Sequence, residues 1–334
     1  IAAHIVLNRT RTRTAPATAE DVARVKRIVE SSTHVEAHLA LLGDKHFLFS
    51  TDGQAFVMCA VQGRSWIAMG DPVGEHGQDE DLIWLFKEEV DQHNGVAVFY
   101  QVTTAYLPAY LDAGFQLVKL GEEAWVDLNA FTLEASKGRK LRQAKARAER
   151  SGLAFRIVPS GSVSQCLEEL QSVSEAWLAE KGRKEKGFSL GFWSADYVLR
   201  HDLGVVRHHQ NIVAFANIWR GADHCEFTID LMRHRPDAPP GAMDLLFIGL
   251  LERAKEEGFQ NFNLGMAPLA GLPTHRLASL WSRLGSFVYR RGDRFYNFEG
   301  LRSFKNKFSP EWRPKYLVFP SGLALPQVLF DVTA

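Results

Sequence analysis

The chain has 334 residues, with 39 basic and 39 acidic side chains and a net charge of zero. That length suits about two domains and a core large enough to fold without disulfides or a structural metal. With 46% hydrophobic, 11% aromatic and 23% charged residues, the chain is not disordered, collagenous or coiled-coil. The charge balance also excludes a uniformly basic nucleic-acid coat, so any polyanion must meet local patches.

The three cysteines, Cys59, Cys166 and Cys225, are far apart and form no CxxC pair. They read as small buried apolar residues in a reducing compartment. No apolar run approaches a membrane-spanning length and no secretory pattern is visible. Residues 1–15 carry an alternating Arg/Thr run (NRTRTRT, 8–14) and are expected to be a linker, either beside a membrane or left from expression.

In chain order, Thr18 is the expected N-cap of a helix over 20–42. Short strands are expected at 47–50, 55–61 and 65–69. A helix over 81–94 ends at Gly95, a buried strand covers 96–102, and a helix over 106–113 ends at Gly114. Residues 116–120 and 124–128 read as a hairpin. Further on, 164–180 is a helix, 181–186 an exposed basic loop with the single acid Glu185, and 211–220 and 225–232 are strands. A helix over 243–257, a strand over 259–265, a helix over 278–284 and a strand from 286 follow the loop RHRPDAPPGA. The order of elements in 70–128 recurs in 233–298, which indicates an internal duplication. The expected division is a first unit at 16–132, a basic linking helix at 133–151 and a second, catalytic unit at 152–334.

This α/β (α+β) order resembles the acyltransferase-like GNAT fold, present here as a tandem of two mixed-sheet units. That fold holds the pyrophosphate of coenzyme A in a Gly-rich loop at a helix N-terminus. Here the loop at 235–241 contains Pro236, Pro239 and Pro240, which offer no N–H, and the loop at 74–81 is acidic. Neither suits acetyl-CoA, and no cofactor is expected.

Several groups of residues can carry chemistry. Segment 137–150 holds seven cations (Lys137, Arg139, Lys140, Arg142, Lys145, Arg147, Arg150) and one acid, Glu149. Spread around a helix, they suit either a phosphate-backbone contact or a plain solvated helix bridging two units. Segment 283–315 interleaves nine cations with aromatic rings, a pattern suited to a single-stranded nucleic-acid end. Within it a helix over 299–308, with Asn297 as N-cap, turns Leu301, Phe304 and Phe308 to the core. Glu299, Arg302 and Lys305 share another flank, where the plain alternative is a surface Glu299–Arg302 pair. Asp230 and Arg233 end a buried strand and are read either as a pair for an amine and an oxygen anion or as a salt bridge tying the loop. Asn263, Gly265 and Met266, at another strand end, are a possible aminoacyl pocket or a simple turn. No metal site is expected: HExxH is absent, and so is a GxSxG nucleophile elbow.

Three stretches, TIDLMRHRPDAPPGAMDLLF, FNLGMAPLAGL and RLGSFVYRRGDRFYNFEGLRSFKNKFSPEWRPKYLVFP, are similar to the cytosolic catalytic domain of phosphatidylglycerol aminoacyltransferases. These are the multiple peptide resistance factors, and the chain looks most like their alanyl branch, with the lysyl branch close. The resemblance implies transfer of alanine (or lysine) from aminoacyl-tRNA to a headgroup hydroxyl of phosphatidylglycerol, which protects against cationic antimicrobial peptides. It implies a parent with an N-terminal transmembrane flippase part and a catalytic domain, itself soluble, on the cytoplasmic face of the inner membrane. It also implies that Asp230, Arg233 and Lys305 are essential; on chemical grounds Asp230, Arg233 and Glu299 are then expected to be catalytic, with Lys305 and Arg302 at phosphate near the tRNA 3′ end. Arg139, Lys140, Arg142, Lys145 and Arg147 would take the acceptor stem. The alternatives that stay open are an acyl-CoA N-acetyltransferase, a Fem-like transferase acting on a peptidoglycan amine, and a non-catalytic tRNA-binding module.

Overall fold

A computed structural model describes residues 17–74, 79–134, 136–181, 185, 187–273, 275, 298–321 and 324–333. The expected N-cap Asn297, the helix over 278–284 and the strand from 286 lie outside the described residues, as does the Arg/Thr run.

Helix α1 (Ala19–Ser31) starts at a capping box, in which Thr18 Oγ1 accepts from Asp21 N and the Asp21 carboxylate accepts from Thr18 N. It stops earlier than its apolar spacing suggests. Ser31 turns its hydroxyl back onto the Ile28 carbonyl and Ser32 accepts from His34 N, so local side-chain bonds compete with the helix. Residues Val35–Leu42 continue as a 3-10 helix. Strands β1 (His46–Phe49), β2 (Phe56–Gln62) and β3 (Ser65–Met69) form an antiparallel meander. Helix α2 (Asp79–Gln92) crosses to β4 (Val96–Val102), parallel to β3, and α3 (Leu107–Asp112) leads to β5 (Gln116–Asp127).

The basic helix α4 (Arg139–Arg150) opens the second half. Strand β6 (Leu153–Val158), helix α5 (Leu167–Lys181) and the short helix α6 (Ala195–Val198) follow. Antiparallel β7 (Leu203–His208), β8 (Asn211–Arg220) and β9 (Glu226–His234) lead through α7 (Ala242–Glu256) to β10 (Asn261–Pro268), parallel to β9. Helix α8 (Phe298–Asn306) precedes β11 (Glu311–Phe319), and a last helix covers Leu325–Thr333. The duplicated order β3–α2–β4 and β9–α7–β10 is therefore present.

The two units do not keep separate sheets. One sheet of eleven strands runs in the order β1-β2-β3-β4-β11-β5-β10-β9-β8-β7-β6. Strand β11, from the end of the chain, lies between β4 and β5 of the first half, and β5 pairs with β10 of the second. Residues 152–334 are thus not a self-contained unit: their last strand completes the first half. The same exchange explains why β5 is one strand and not the expected hairpin. With partners on both edges, β5 continues through Gly121, past a register shift with β11 at Leu120, and a Cβ on Gly121 would lie 2.4 Å from the Ala267 carbonyl of β10. Helix packing also crosses the boundary, since Val25 and Ile28 of α1 share a core with Leu170, Phe215 and Leu231.

A buried charge cluster sits at this seam. Lys315 of β11 reaches Glu36 at 2.5 Å and Glu123 of β5 at 3.6 Å, with its side chain 4% exposed. Burial opposes its charge, but the two carboxylates hold its pKa above the ordinary lysine value. Replacing Lys315 with Met leaves the buried Glu123 and the half-buried Glu36 without their cation. The expected cost is about 3–5 kcal/mol of stability, read as a lower urea midpoint with both halves unfolding together.

Candidate functional site

The parallel strands β9 and β10 pair only from Asn261↔Glu226 to Asn263↔Thr228, although both run further. Beyond that point they part, and each carries an irregularity at the same level. On β9 the register with β8 shifts so that Asp230 and Leu231 oppose the single residue Asn217, whose side chain accepts from Leu231 N at 2.6 Å. On β10 the register with β5 shifts between Asn263 and Met266, where Gly265 adopts φ 81. Bulges of this kind turn side chains and carbonyls away from the ladder.

Asp230 stands on the β9 arm. Its carboxylate accepts from Gly191 N at 2.7 Å and from the Tyr197 hydroxyl at 2.8 Å. Burial raises its pKa, while these two bonds, Arg233 and Lys45 work the other way. The Tyr197 hydroxyl is pushed well above its ordinary value by burial and by the Asp230 charge, so it stays a donor. Lys45, whose Nζ lies 2.6 Å from Asp44, has its pKa lowered by burial.

Arg233 lies near by and is committed. It is 8% exposed, pairs with Glu185 at 2.6 Å and stacks on Trp177 at 4.2 Å. Nη1 donates to the Met232 carbonyl, and Nε has no partner among the described residues. The expected anion-facing guanidinium is therefore largely a clamp. Glu185 also accepts from Trp193 N, and Phe188 N donates to Asp44 Oδ2. The segment from 187 to 193 is thus tied to β9, to Glu185 and to the first half. It supplies the N–H that holds Asp230.

Lys305 reaches the β10 arm from α8. It is 6% exposed, and Nζ donates to the carbonyls of Gly265 at 2.8 Å and Met266 at 2.9 Å. Burial lowers its pKa to about 7, opposed by Glu123. An ammonium placed this deep does not suit the expected outward phosphate contact. Arg302 pairs with Glu122 at 2.9 Å and lies over Trp312 at 4.4 Å, not with Glu299. Glu299 is exposed and makes no ion pair among the described residues, so the expected Glu299–Arg302 arrangement does not form. Asn263 is also spent: Nδ2 donates to Glu226 at 2.6 Å and Oδ1 accepts from Gly265 N at 2.7 Å. It shapes the bulge and is not a free pocket amide. Glu226 beneath it is held well above the carboxylate range by burial and by Glu36 and Glu123.

The basic helix is not polar all round. Leu141 and Ala148 are buried, and Lys145 pairs with Glu252 of α7 at 2.6 Å. Arg139, Lys140, Arg142 and Arg147 remain exposed. The residues that sequence reasoning missed are Gly191, Tyr197, Glu185 and Trp177 around Asp230, and Glu123 beside Lys305. Only Glu185 had a signal, as the one acid in a basic loop.

The contact between Gly191 and Asp230 can be tested. A Cβ on Gly191 would come 1.8 Å from Asp230 Oδ2, whereas one on Gly187 would come 3.4 Å from Asp44 Oδ2. Gly191→Ala is expected to cost about 1–3 kcal/mol by overpacking and Gly187→Ala much less, compared by chemical denaturation.

Residues 26–319 match the family described as "Phosphatidylglycerol lysyltransferase, C-terminal". The chain is 40% identical over 306 residues to phosphatidylglycerol lysyltransferase of Bacillus subtilis (strain 168), covering 91% of this chain and 35% of that protein. It is 32% identical to the protein of the same name from Staphylococcus aureus (strain MRSA252), covering 89% and 35%. Among solved structures, it matches the C-terminal domain of a putative lysylphosphatidylglycerol synthetase from Agrobacterium fabrum at 44% identity and a TM-score of 0.87, covering 95% of this chain and 96% of that one. L-PGS from Bacillus licheniformis matches at 38% identity and a TM-score of 0.83, covering 93% and 95%. FemX, at 9% identity and a TM-score of 0.55, shares the fold. The chain spans about a third of the length of the curated relatives it matches. With a match over 26–319, it belongs to the family of phosphatidylglycerol lysyltransferase C-terminal domains.

Proposed function

We propose that this chain moves an aminoacyl group from aminoacyl-tRNA to a hydroxyl on the glycerol headgroup of phosphatidylglycerol. The observation that carries the reading is the opened seam between β9 and β10, in a chain of this family. An enclosed carboxylate, Asp230, stands on one arm, and the amine of Lys305 reaches the other. Lysine is the amino acid in the relatives' names, and alanine is the one the sequence motifs resemble. Among the described residues no helix is long and apolar enough to cross a membrane. Because the chain spans about a third of its curated relatives, the proposal includes a larger parent with a membrane-embedded flippase part, which presents the lipid at the cytoplasmic face. The aminoacylated lipid is less anionic, which would weaken binding of cationic peptides.

The reaction exchanges one ester for another and needs no ATP. The lipid hydroxyl oxygen bonds to the aminoacyl carbon, the bond from that carbon to the tRNA ribose oxygen breaks, and one proton passes from the first oxygen to the second. Lys305, with its pKa lowered to about 7, is suited to take that proton when neutral and return it when protonated. Asp230, fixed by Gly191 and Tyr197, holds the α-ammonium and so aims the carbonyl carbon. The remaining donor of Arg233, Nε, is the candidate for the developing oxyanion. The exposed face of α4 takes the acceptor stem, because contacts to a phosphate backbone are mainly electrostatic.

Labelled alanyl- or lysyl-tRNA with phosphatidylglycerol vesicles tests the reading directly. Label in the lipid fraction is expected, and the tRNA that delivers it identifies the amino acid. Label that stays on tRNA, with tight salt-sensitive binding, would favour another acceptor or a binding module. Asp230→Asn is expected to lower transfer by about a hundredfold or more. The rate should rise with pH through about 7, because deprotonation of Lys305 supplies the base. Lys305→Arg, which stays charged, should abolish that rise; an unchanged profile would remove Lys305 as base. Replacing Arg139 and Arg147 with Gln should weaken tRNA binding and flatten its salt dependence by roughly one slope unit for each phosphate no longer neutralised.

A further inference from the structure

A second polar cavity lies in the first half, lined by residues that the transfer site does not use. It has a volume of about 710 Å³ and is bounded by α1, the turn between β1 and β2, and Gly74. Arg24, Arg27, Ile28 and Ser31 fall at i, i+3, i+4 and i+7, so one stripe of α1 forms a wall. Two guanidiniums share this stripe and so give one wall of the cavity its positive charge. The carboxylate paired with Arg24 is Glu20, at 3.6 Å and with its side chain 85% exposed. Arg27 has no carboxylate partner among the described residues.

Arg24 is nevertheless held in place. Its guanidinium lies 4.8 Å from the centre of the Phe49 ring. Gly53 of the facing turn lets it approach, since a Cβ there would lie 3.2 Å from Arg24 Nη1. The acid in the lining, Asp52, is engaged in the turn, where it accepts from Ser50 Oγ at 2.7 Å and from Gln54 N at 3.0 Å. Thr33, Thr51 and Gln54 add neutral polar groups to the lining.

We infer that this cavity binds a phosphate ester carrying a small polyol, such as a glycerol phosphate group. Paired guanidiniums match phosphate oxygens in geometry as well as charge. The volume falls within the roughly 300–1,000 Å³ of ligand pockets and exceeds what a bare phosphate fills. Hydroxyl and amide groups beside the arginines suit the polyol. Such a group occurs both on an anionic phospholipid and as a free phosphate ester. The inference goes beyond the transfer reading, because it concerns binding at residues that take no part in transfer.

The test measures binding by the intact chain, separately from any transfer assay. Titration calorimetry with glycerol 1-phosphate reads the free ester. Flotation with phosphatidylglycerol vesicles, against phosphatidylcholine vesicles, reads the lipid headgroup. Binding in both arms supports the site for either source, binding only to phosphatidylglycerol vesicles assigns it to a headgroup, and binding only in solution assigns it to a free ester. In each supporting case Arg27→Gln should weaken binding at least about tenfold, the effect of removing one charge-assisted bond to phosphate. Because Arg27 is exposed, this variant should fold; the double variant Arg24→Gln/Arg27→Gln, checked by circular dichroism, should abolish binding. Absence of binding in both arms, or an affinity unchanged in Arg27→Gln, overturns the inference. Transfer of label to lipid by the wild-type chain would stand in either case, so the two readings fail separately.

Discussion

The ammonium of Lys315 joins three parts of the chain that are distant in sequence. It comes from the last strand, pairs with Glu36 beyond the first helix and faces Glu123 at the centre of the sheet. A cation enclosed with two carboxylates is tolerated only where the surroundings hold all three charges in place. Here the surroundings are the exchanged strands, with β11 between β4 and β5, and β5 against β10. That exchange joins two units of similar element order into one sheet. It also fixes the distance between the first half and the candidate site of the second.

The same central strand serves the candidate site. Glu123 faces Lys315, accepts from Trp125 Nε1 and favours the charge on Lys305 against the cost of burial. Its neighbour Glu122 holds Arg302 and Lys119. Residues of the first half therefore tune and position cations that the second half delivers. On the other arm, the segment over Asp230 is anchored in both halves, through Asp44 on one side and Glu185 with Arg233 on the other. In this arrangement the first half supports the candidate site of the second and completes its surroundings.

Much of the element order was legible from local signals. The capping box at Thr18, the helix ends at Gly114 and Gly258 and the buried strand pair around α7 all follow from short-range spacing, which the chain carries in itself. The motifs that contain Asp230, Arg233 and Lys305 were also legible, and with them the choice of these residues as candidates. Their bonding was not. Arg302 finds Glu122 and not Glu299, and Arg233 finds Glu185, 48 positions away, because such pairings depend on which strands become neighbours. Lys305 reads as a surface cation beside Arg302, yet the bulge at Gly265 turns two carbonyls toward it and encloses it.

By itself the sequence determined the duplicated α/β plan, the positions of most helices and strands, and the family motifs. Periodicity, capping and glycine placement act over a few residues and are written in order along the chain. Only the tertiary structure decided that the units exchange strands, and that β5 is continuous where a hairpin was expected. It alone decided that Asp230 is held by the backbone of a distant segment and that a lysine is buried deeply enough for its pKa to fall to about 7. Those outcomes depend on contacts between residues far apart in sequence, where hydrogen-bond partners and burial are set by the packing of the whole sheet.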